Sequence, residues 1–245
     1  MPPITFLGTG NFLVPGRYWN SFVIDRRILV EPSPSALANL RRAGLDAKDL
    51  DAVVISHFHP DHTFGWPFLA LELLHKGRVR PLHVIGPPGV AGFLAEMMHL
   101  GSIDSVQRDL HARIDVRYME VDGTRQPAGD ALALRAFEVI HAPRLSCFGY
   151  VLEVGGTRIG YSGDSEPCRG LEQIAEGCDV LVLECAELHR TPTHMDVEAV
   201  ADLSHRHPGL RILLTHLGDG VDKSIAKSGL EKVELPNDLD TVEVP

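Results

Sequence analysis

Short apolar runs bounded by turn residues alternate with longer amphipathic stretches along the chain, the pattern of a mixed α and β protein. Ile4–Leu7, Ser21–Asp25 and Ile28–Val30 read as strands set between turn residues. Ser33-Pro34 reads as an N-cap with proline at the first helical position, which predicts a helix over Ala36–Ala43 that stops at Gly44. Val53–Ile55 reads as a buried strand. Thr63–Leu74, rich in Phe, Leu and Trp, predicts one largely buried helix. Pro81–Ile85 reads as a strand leading through Gly86-Pro87-Pro88 into a helix over Gly89–Leu100.

A second β-rich block follows, with strands expected at Asp115–Val121, Ala131–Ile140, Phe148–Val154 and Arg158–Tyr161. Gly155-Gly156, between the last two, is a two-residue hairpin signal. Alternation then resumes with a helix near Leu171–Glu176, a strand Val180–Leu183, a helix Val197–His205 and a strand Arg211–Leu214. Weaker strand signals lie at Lys232–Leu235 and Thr241–Val244. Antiparallel clusters that each run into alternating β and α fit two mixed sheets packed back to back with helices outside. No repeat, long linker or low-complexity tract divides the chain, so residues 1–245 are expected to form a single domain.

Composition narrows the class only modestly. Apolar residues make up 44% and charged residues 23%, ordinary values for a globular protein, and no apolar stretch approaches a membrane span. The N-terminus lacks a basic segment followed by a long apolar one, so no signal peptide is expected. Four cysteines without Cys-x-x-Cys spacing read as buried thiols of a reduced, cytoplasmic protein rather than a structural zinc site. A formal charge of −10 disfavours broad nucleic-acid binding, which needs cations to displace counterions. The local basic groups, Lys76, Arg78 and Arg80 in one expected loop and Arg108, Arg113 and Arg117 in another, read as solvated surface.

The chemistry concentrates at His57-Phe58-His59-Pro60-Asp61-His62, directly after the strand Val53–Ile55. Imidazoles and a carboxylate this dense are a donor set that zinc favours, and a tight turn can aim His57 and His59 at one ion and Asp61 and His62 at a second. Two adjacent divalent ions suggest hydrolysis by a metal-activated hydroxide. His141, Asp164 and His216 also fall at the ends of expected strands and complete a donor count of about seven or eight, with Asp164 the natural bridge between ions. Glu184 ends another strand, and His194 precedes a helix. An imidazole beside such a site can protonate a leaving oxygen, with a carboxylate to fix its tautomer. The remaining histidines, His75, His83, His99, His111, His189, His205 and His207, lack strand-end context and read as surface or packing groups.

The series His57-x-His59-x-Asp61-His62, His141, Asp164 in Tyr-Ser-Gly-Asp-Ser, and His216 after Leu-Leu-Thr resembles the metallo-β-lactamase superfamily over nearly the whole chain. That resemblance implies an αββα sandwich of four layers with a dinuclear site on one edge. It assigns His57, His59 and His141 to one ion and Asp61, His62 and His216 to the other, with Asp164 bridging. The ions implied are zinc, with manganese as the alternative. Phe6-Leu7-Gly8-Thr9-Gly10 with Arg17 and Asn20-Ser21, Thr63-Phe64-Gly65-Trp66-Pro67, Leu183-Glu184 and Thr193-His194-Met195 look like ribonuclease Z and its phosphodiesterase relatives. By that likeness Asp61, His194 and Glu184 are catalytic, with His194 the general acid supported by the two carboxylates.

The sequence departs from ribonuclease Z in three places. Val30-Glu31-Pro32-Ser33-Pro34 replaces an Asp-Cys-Gly-Glu segment, Leu217-Gly218-Asp219-Gly220 lacks an arginine-tyrosine element, and no basic glycine- and proline-rich arm is present to grip tRNA. The cysteine-rich zinc site of carbon–phosphorus-lyase-associated phosphodiesterases is also missing. A small or nucleotide phosphodiester is therefore the expected substrate, with RNA less favoured, no membrane partner, and a homodimer as the assembly common among such relatives. The competing readings are hydrolysis of a carbonyl ester (a lactone, thioester or β-lactam) on the same site, and a non-catalytic metal-binding scaffold subunit.

Overall fold

A computed structural model describes residues 2–244. One sheet takes β1 (Pro3–Gly8), β2 (Ser21–Ile24), β3 (Ile28–Val30), β4 (Ala52–Val54), β5 (Leu82–Gly86), β6 (Val116–Glu120) and the last strand, β14 (Thr241–Glu243), in the order β14-β1-β2-β3-β4-β5-β6. The second takes β7 (Arg125–Ala128), β8 (Leu132–Glu138), β9 (Phe148–Val154), β10 (Thr157–Tyr161), β11 (Val180–Glu184), β12 (Arg211–Thr215) and β13 (Val233–Glu234) in sequential spatial order. Each sheet is antiparallel through its first strands, then parallel from β3 to β6 and from β10 to β13. The helices are α1 (Ala36–Arg42), α2 (Pro60–Thr63), α3 (Trp66–His75), α4 (Val90–Leu100), α5 (Asp104–Arg113), α6 (Arg169–Gly177), α7 (Val197–Arg206) and α8 (Val221–Ser228).

Three apolar cores separate these elements into four layers, the αββα sandwich expected above. Phe22, Ile24, Val30 and Val54 of one sheet meet Leu134, Tyr150, Ile159 and Val182 of the other in the central core. Their neighbours on the same strands, Val23, Leu29 and Val53, pack under α1, α3 and α4 with Leu40, Trp66 and Leu94. Leu181, Leu183, Ile212 and Leu214 do the same beneath α6, α7 and α8. Side chains alternate across a strand, so a strand covered on both faces must be apolar throughout, which explains the unbroken apolar runs.

The structure corrects several expected elements. The single helix over Thr63–Leu74 is two: α2 is one turn, and α3 begins only at Trp66. The break falls at Gly65, where a Cβ would stand 2.1 Å from the Ser33 carbonyl oxygen. The first helix begins after Ser35, whose side chain makes no capping hydrogen bond, and not after an N-cap at Ser33. The loop expected to carry Arg108 and Arg113 is instead α5, Arg117 lies in β6 within the strand expected at Asp115–Val121, and α8 and β7 were not expected. α5 is mostly solvated and buries only Leu110. β7 is an edge strand that accommodates Pro127 because one side of its ladder needs no partner. The hairpin at Gly155-Gly156 forms as expected, with φ of 58° and 87° at the two glycines. No helix among the described residues is long and apolar enough to cross a membrane.

Candidate metal centre

The carboxyl ends of the parallel strands gather on one edge of the sandwich, where open α/β sheets place their ligands. β4 runs through Ile55 and Ser56 into the histidine loop, which is held from both sheets. Tyr150 Oη donates to the Ile55 carbonyl at 2.6 Å, and the Phe148 N–H donates to the Ser56 carbonyl at 3.1 Å. Pro60 occupies the first position of α2, and that single turn swings His62 fully inward while Asp61 stays nearer the rim. His141 follows β8, Asp164 follows β10, Glu184 ends β11 and His216 follows β12.

All seven expected donors converge. His59 Nδ1 lies 2.9 Å from His57 Nε2 and 3.1 Å from His141 Nε2. His62 Nε2 and His216 Nε2 lie 3.4 and 3.5 Å from Asp61 Oδ2. Asp164 Oδ2 sits between the two groups, 3.3 Å from His62, 3.5 Å from His216 and 3.9 Å from both His57 and His141. The donor atoms of His57, His59 and His141 lie within 4.8 Å of one another, as do those of Asp61, His62 and His216.

The donors fit a cation because protein partners leave them unsatisfied. Both ring nitrogens of His62 and of His216, and Asp164 Oδ1, are buried without a hydrogen bond. Buried polar atoms are normally paired, and a cluster of orphans with this donor chemistry is what a divalent ion satisfies. The outer nitrogens are oriented where partners exist: His57 Nδ1 meets Ser56 Oγ at 2.9 Å, and His141 Nδ1 donates to the Thr193 carbonyl at 2.8 Å, turning each Nε2 inward.

Electrostatics separate the donors. Burial holds His57, His59 and His141 below the ordinary imidazole range, which favours the neutral form that binds metal. Burial would raise Asp61 and Asp164, but the facing His216 and His62 outweigh it and hold both well below the ordinary carboxylate range. Burial would likewise lower His62, and there the charge of Asp164 wins and raises it.

His194 and Glu184 form a separate pair at the edge of the cluster. Glu184 is fully buried; Oε1 accepts from the Ser165 N–H at 2.9 Å and from His194 Nδ1 at 2.8 Å, and Oε2 accepts from the Ala186 N–H at 3.0 Å. The His194 side chain is 19% exposed, and its ring packs 4.7 Å from that of His141 and 5.6 Å from that of His216. Burial opposes its charge, but the Glu184 hydrogen bond overrides that and raises it to about 9. Burial also raises Glu184, against the pull of His194. Asp61 makes its polar contacts to His62 and His216, and His194 hydrogen-bonds Glu184, with a donor atom also within 4.8 Å of those of His141 and Asp164.

The structure adds a residue that sequence reasoning treated only as a departure. Glu31, one position past β3, is fully buried; Oε1 accepts from the Ser56 N–H at 3.0 Å and faces His62 Nδ1 at 3.6 Å. Its signal was positional, a carboxylate at a strand end on the same edge as the donors. Glu31 and His216 both have left-handed backbone, φ 57° and 50°, and Thr193 has φ 112°. Such conformations cost energy in non-glycine residues and cluster at functional sites. The buried chain Thr215 Oγ1 to Asn20 Oδ1 (2.7 Å) and Asn20 Nδ2 to Tyr161 Oη (2.9 Å) ties the first sheet to the second beneath the site.

Ribonuclease Z of Mycolicibacterium gilvum is 26% identical, aligned over 100% of this chain and 96% of its own. Ribonuclease Z of Methanosarcina acetivorans is also 26% identical, over 99% of this chain and 98% of its own. Among solved structures, the metallo-β-lactamase fold protein YhfI of Bacillus subtilis superposes with a TM-score of 0.78 at 20% identity, covering 99% of this chain and 100% of that one. Human tRNase Z, short form, superposes at 0.75 and 21% identity, covering 99% of each. A diphosphatase from the PhnP family reaches 0.79 at 18% identity, covering 100% of this chain and 98% of that one. A profile of the beta-lactamase superfamily domain matches residues 26–217, which hold every residue of the donor cluster and the His194–Glu184 pair, and the chain belongs to that superfamily.

Proposed function

We propose that this metal-dependent hydrolase cleaves phosphodiesters at a dinuclear centre, with His57, His59 and His141 holding one ion, Asp61, His62 and His216 the other, and Asp164 shared. The observation that carries the reading is the His194–Glu184 pair standing beside a seven-donor cluster. Divalent ions at this cluster supply Lewis-acid polarisation of a phosphoryl oxygen and an activated water. The imidazole-rich donor set favours zinc, with manganese the alternative.

The chain's own residues handle the proton. His194 donates Nδ1–H to Glu184, which leaves Nε2 as the atom that meets the departing oxygen. An imidazole held protonated at neutral pH suits an alkoxide that must leave with a proton. A carbonyl ester whose leaving group departs unaided gives this pair no task, so the phosphodiester reading is preferred. The resemblance and the curated relatives support nucleic acid as one substrate class, but the missing arm and the net charge of −10 favour a small or nucleotide diester. Four unpaired cysteines fit a reducing, cytoplasmic setting, and the pairing of β14 with β1 supports reading residues 1–245 as one domain.

The test is turnover of bis(p-nitrophenyl) phosphate by metal-loaded protein. The expected result is hydrolysis that disappears in Asp61→Ala. Protein that carries two ions and leaves every phosphodiester intact would overturn the reading in favour of carbonyl esters.

A further inference from the structure

Three phenylalanines stand in solvent beside the donor cluster. Phe12, on the loop between β1 and β2, is 58% exposed, Phe64 at the end of α2 is 47% exposed, and Phe68 on α3 is 59% exposed. With half-buried Trp19 they wall a cavity of about 630 Å³ that reaches His59 and Asp61 of the cluster. That volume falls within the range of small-molecule pockets, about 300–1,000 Å³. Exposed aromatic area gathered at one place is costly to leave bare and marks a binding surface.

The lining also shows what it excludes. Beyond His59 and Asp61 it consists of aromatic rings and two prolines, and no lysine or arginine contributes to it. Arg17, on the same loop as Phe12, is turned to Thr9 Oγ1 at 2.7 Å. A polynucleotide strand laid along this wall would place its next phosphate against aromatic rings and prolines, with no lysine or arginine of the lining to receive it. A flat uncharged ring would instead stack or meet the phenylalanines edge-on.

We propose that this wall takes a flat aromatic substituent of the substrate ester, so that the site selects small diesters carrying an aryl or nucleobase-like group over a continuous strand. The proposal rests on the phosphodiesterase reading for its phosphate and on the wall for its ring. The two can fail separately.

The experiment is calorimetric titration of the metal-loaded protein with diphenyl phosphate and with diethyl phosphate. Diphenyl phosphate should bind about tenfold more tightly, the discrimination that aromatic contacts of this kind support. The ratio should fall towards one in Phe64→Ala/Phe68→Ala and persist in Phe68→Trp. Because both positions are exposed, the fold does not depend on them. Equal binding of the two esters by the wild type, or a ratio untouched by the double variant, overturns the wall even if diesters are hydrolysed. A wild-type preference that the variant abolishes, in a protein that hydrolyses no diester, upholds the wall and overturns the phosphodiesterase reading. Should sedimentation show a dimer that the double variant dissociates, with no preference for the aryl ester, the wall is a subunit contact and the proposal falls.

Discussion

A single proton on His194 separates metal-assisted hydrolysis of a demanding ester from that of an activated one. His194→Ala should lower turnover of alkyl phosphodiesters by about 100-fold or more, the usual contribution of a general acid, while turnover of p-nitrophenyl esters falls far less. Equal losses on both would remove the acid role. The same proton couples to stability in the metal-free protein. His194 rises from its ordinary value of 6.5 to about 9 on folding, so its stabilising charge is fully present below 6.5 and is lost as pH climbs through 9. Urea unfolding from pH 6 to 10 should show wild-type stability converging on that of His194→Ala across that window; a constant gap would mean that the ring does not titrate there. Glu31 acts by position. Glu31→Ala strands the Ser56 N–H and removes the carboxylate that faces the outer nitrogen of His62, costing about 1–3 kcal/mol of stability and about 10–100-fold in metal affinity. Denaturation and zinc titration read the two effects, and unchanged affinity would make Glu31 purely structural.

The break between α2 and α3 decides where His62 points. A continuous helix from Thr63 satisfies local propensity, yet the turn needs Gly65, whose N–H donates to the Pro32 carbonyl at 2.9 Å and where a Cβ would stand 2.1 Å from the Ser33 carbonyl oxygen. Gly65→Ala forces a Cβ into that backbone, so a loss of about 1–3 kcal/mol is expected, with weakened metal binding because the segment carrying Asp61 and His62 must shift. Circular dichroism melts with metal titration test this, and a variant that melts with the wild type would show that the segment yields freely. Burial also explains which elements were hard to read. Within α5 only Val106 and Leu110 meet the core, with Ile103 and Ile114 at its two ends, a pattern sparse beside the solid runs of the strands. β7 buries Ala128 alone, and α8 buries Val221 and Ile225.

Across the whole molecule, the two sheets grip the donor cluster from opposite sides: His57, His59, Asp61 and His62 from the first, His141, Asp164 and His216 from the second. Metal binding should therefore tie the halves together. At free zinc a thousandfold above the dissociation constant, linkage adds about 4 kcal/mol. Chelation should thus lower the thermal midpoint by roughly 10 °C in a chain of this size, and Asp164→Asn should respond little. A wild-type midpoint indifferent to chelation would argue against a cation at the cluster. The sequence by itself determined the layers, because strands covered on both faces must be apolar throughout, and it determined the donors, because imidazoles and carboxylates stood at strand ends. Only the tertiary structure decided that His194 pairs with Glu184 and not with Asp61, that Glu31 backs His62, and that Phe12, Phe64 and Phe68 form one wall. Those relations join residues far apart in the chain, and their distances depend on how the two sheets pack and where Gly65 breaks the helix, which no local pattern encodes.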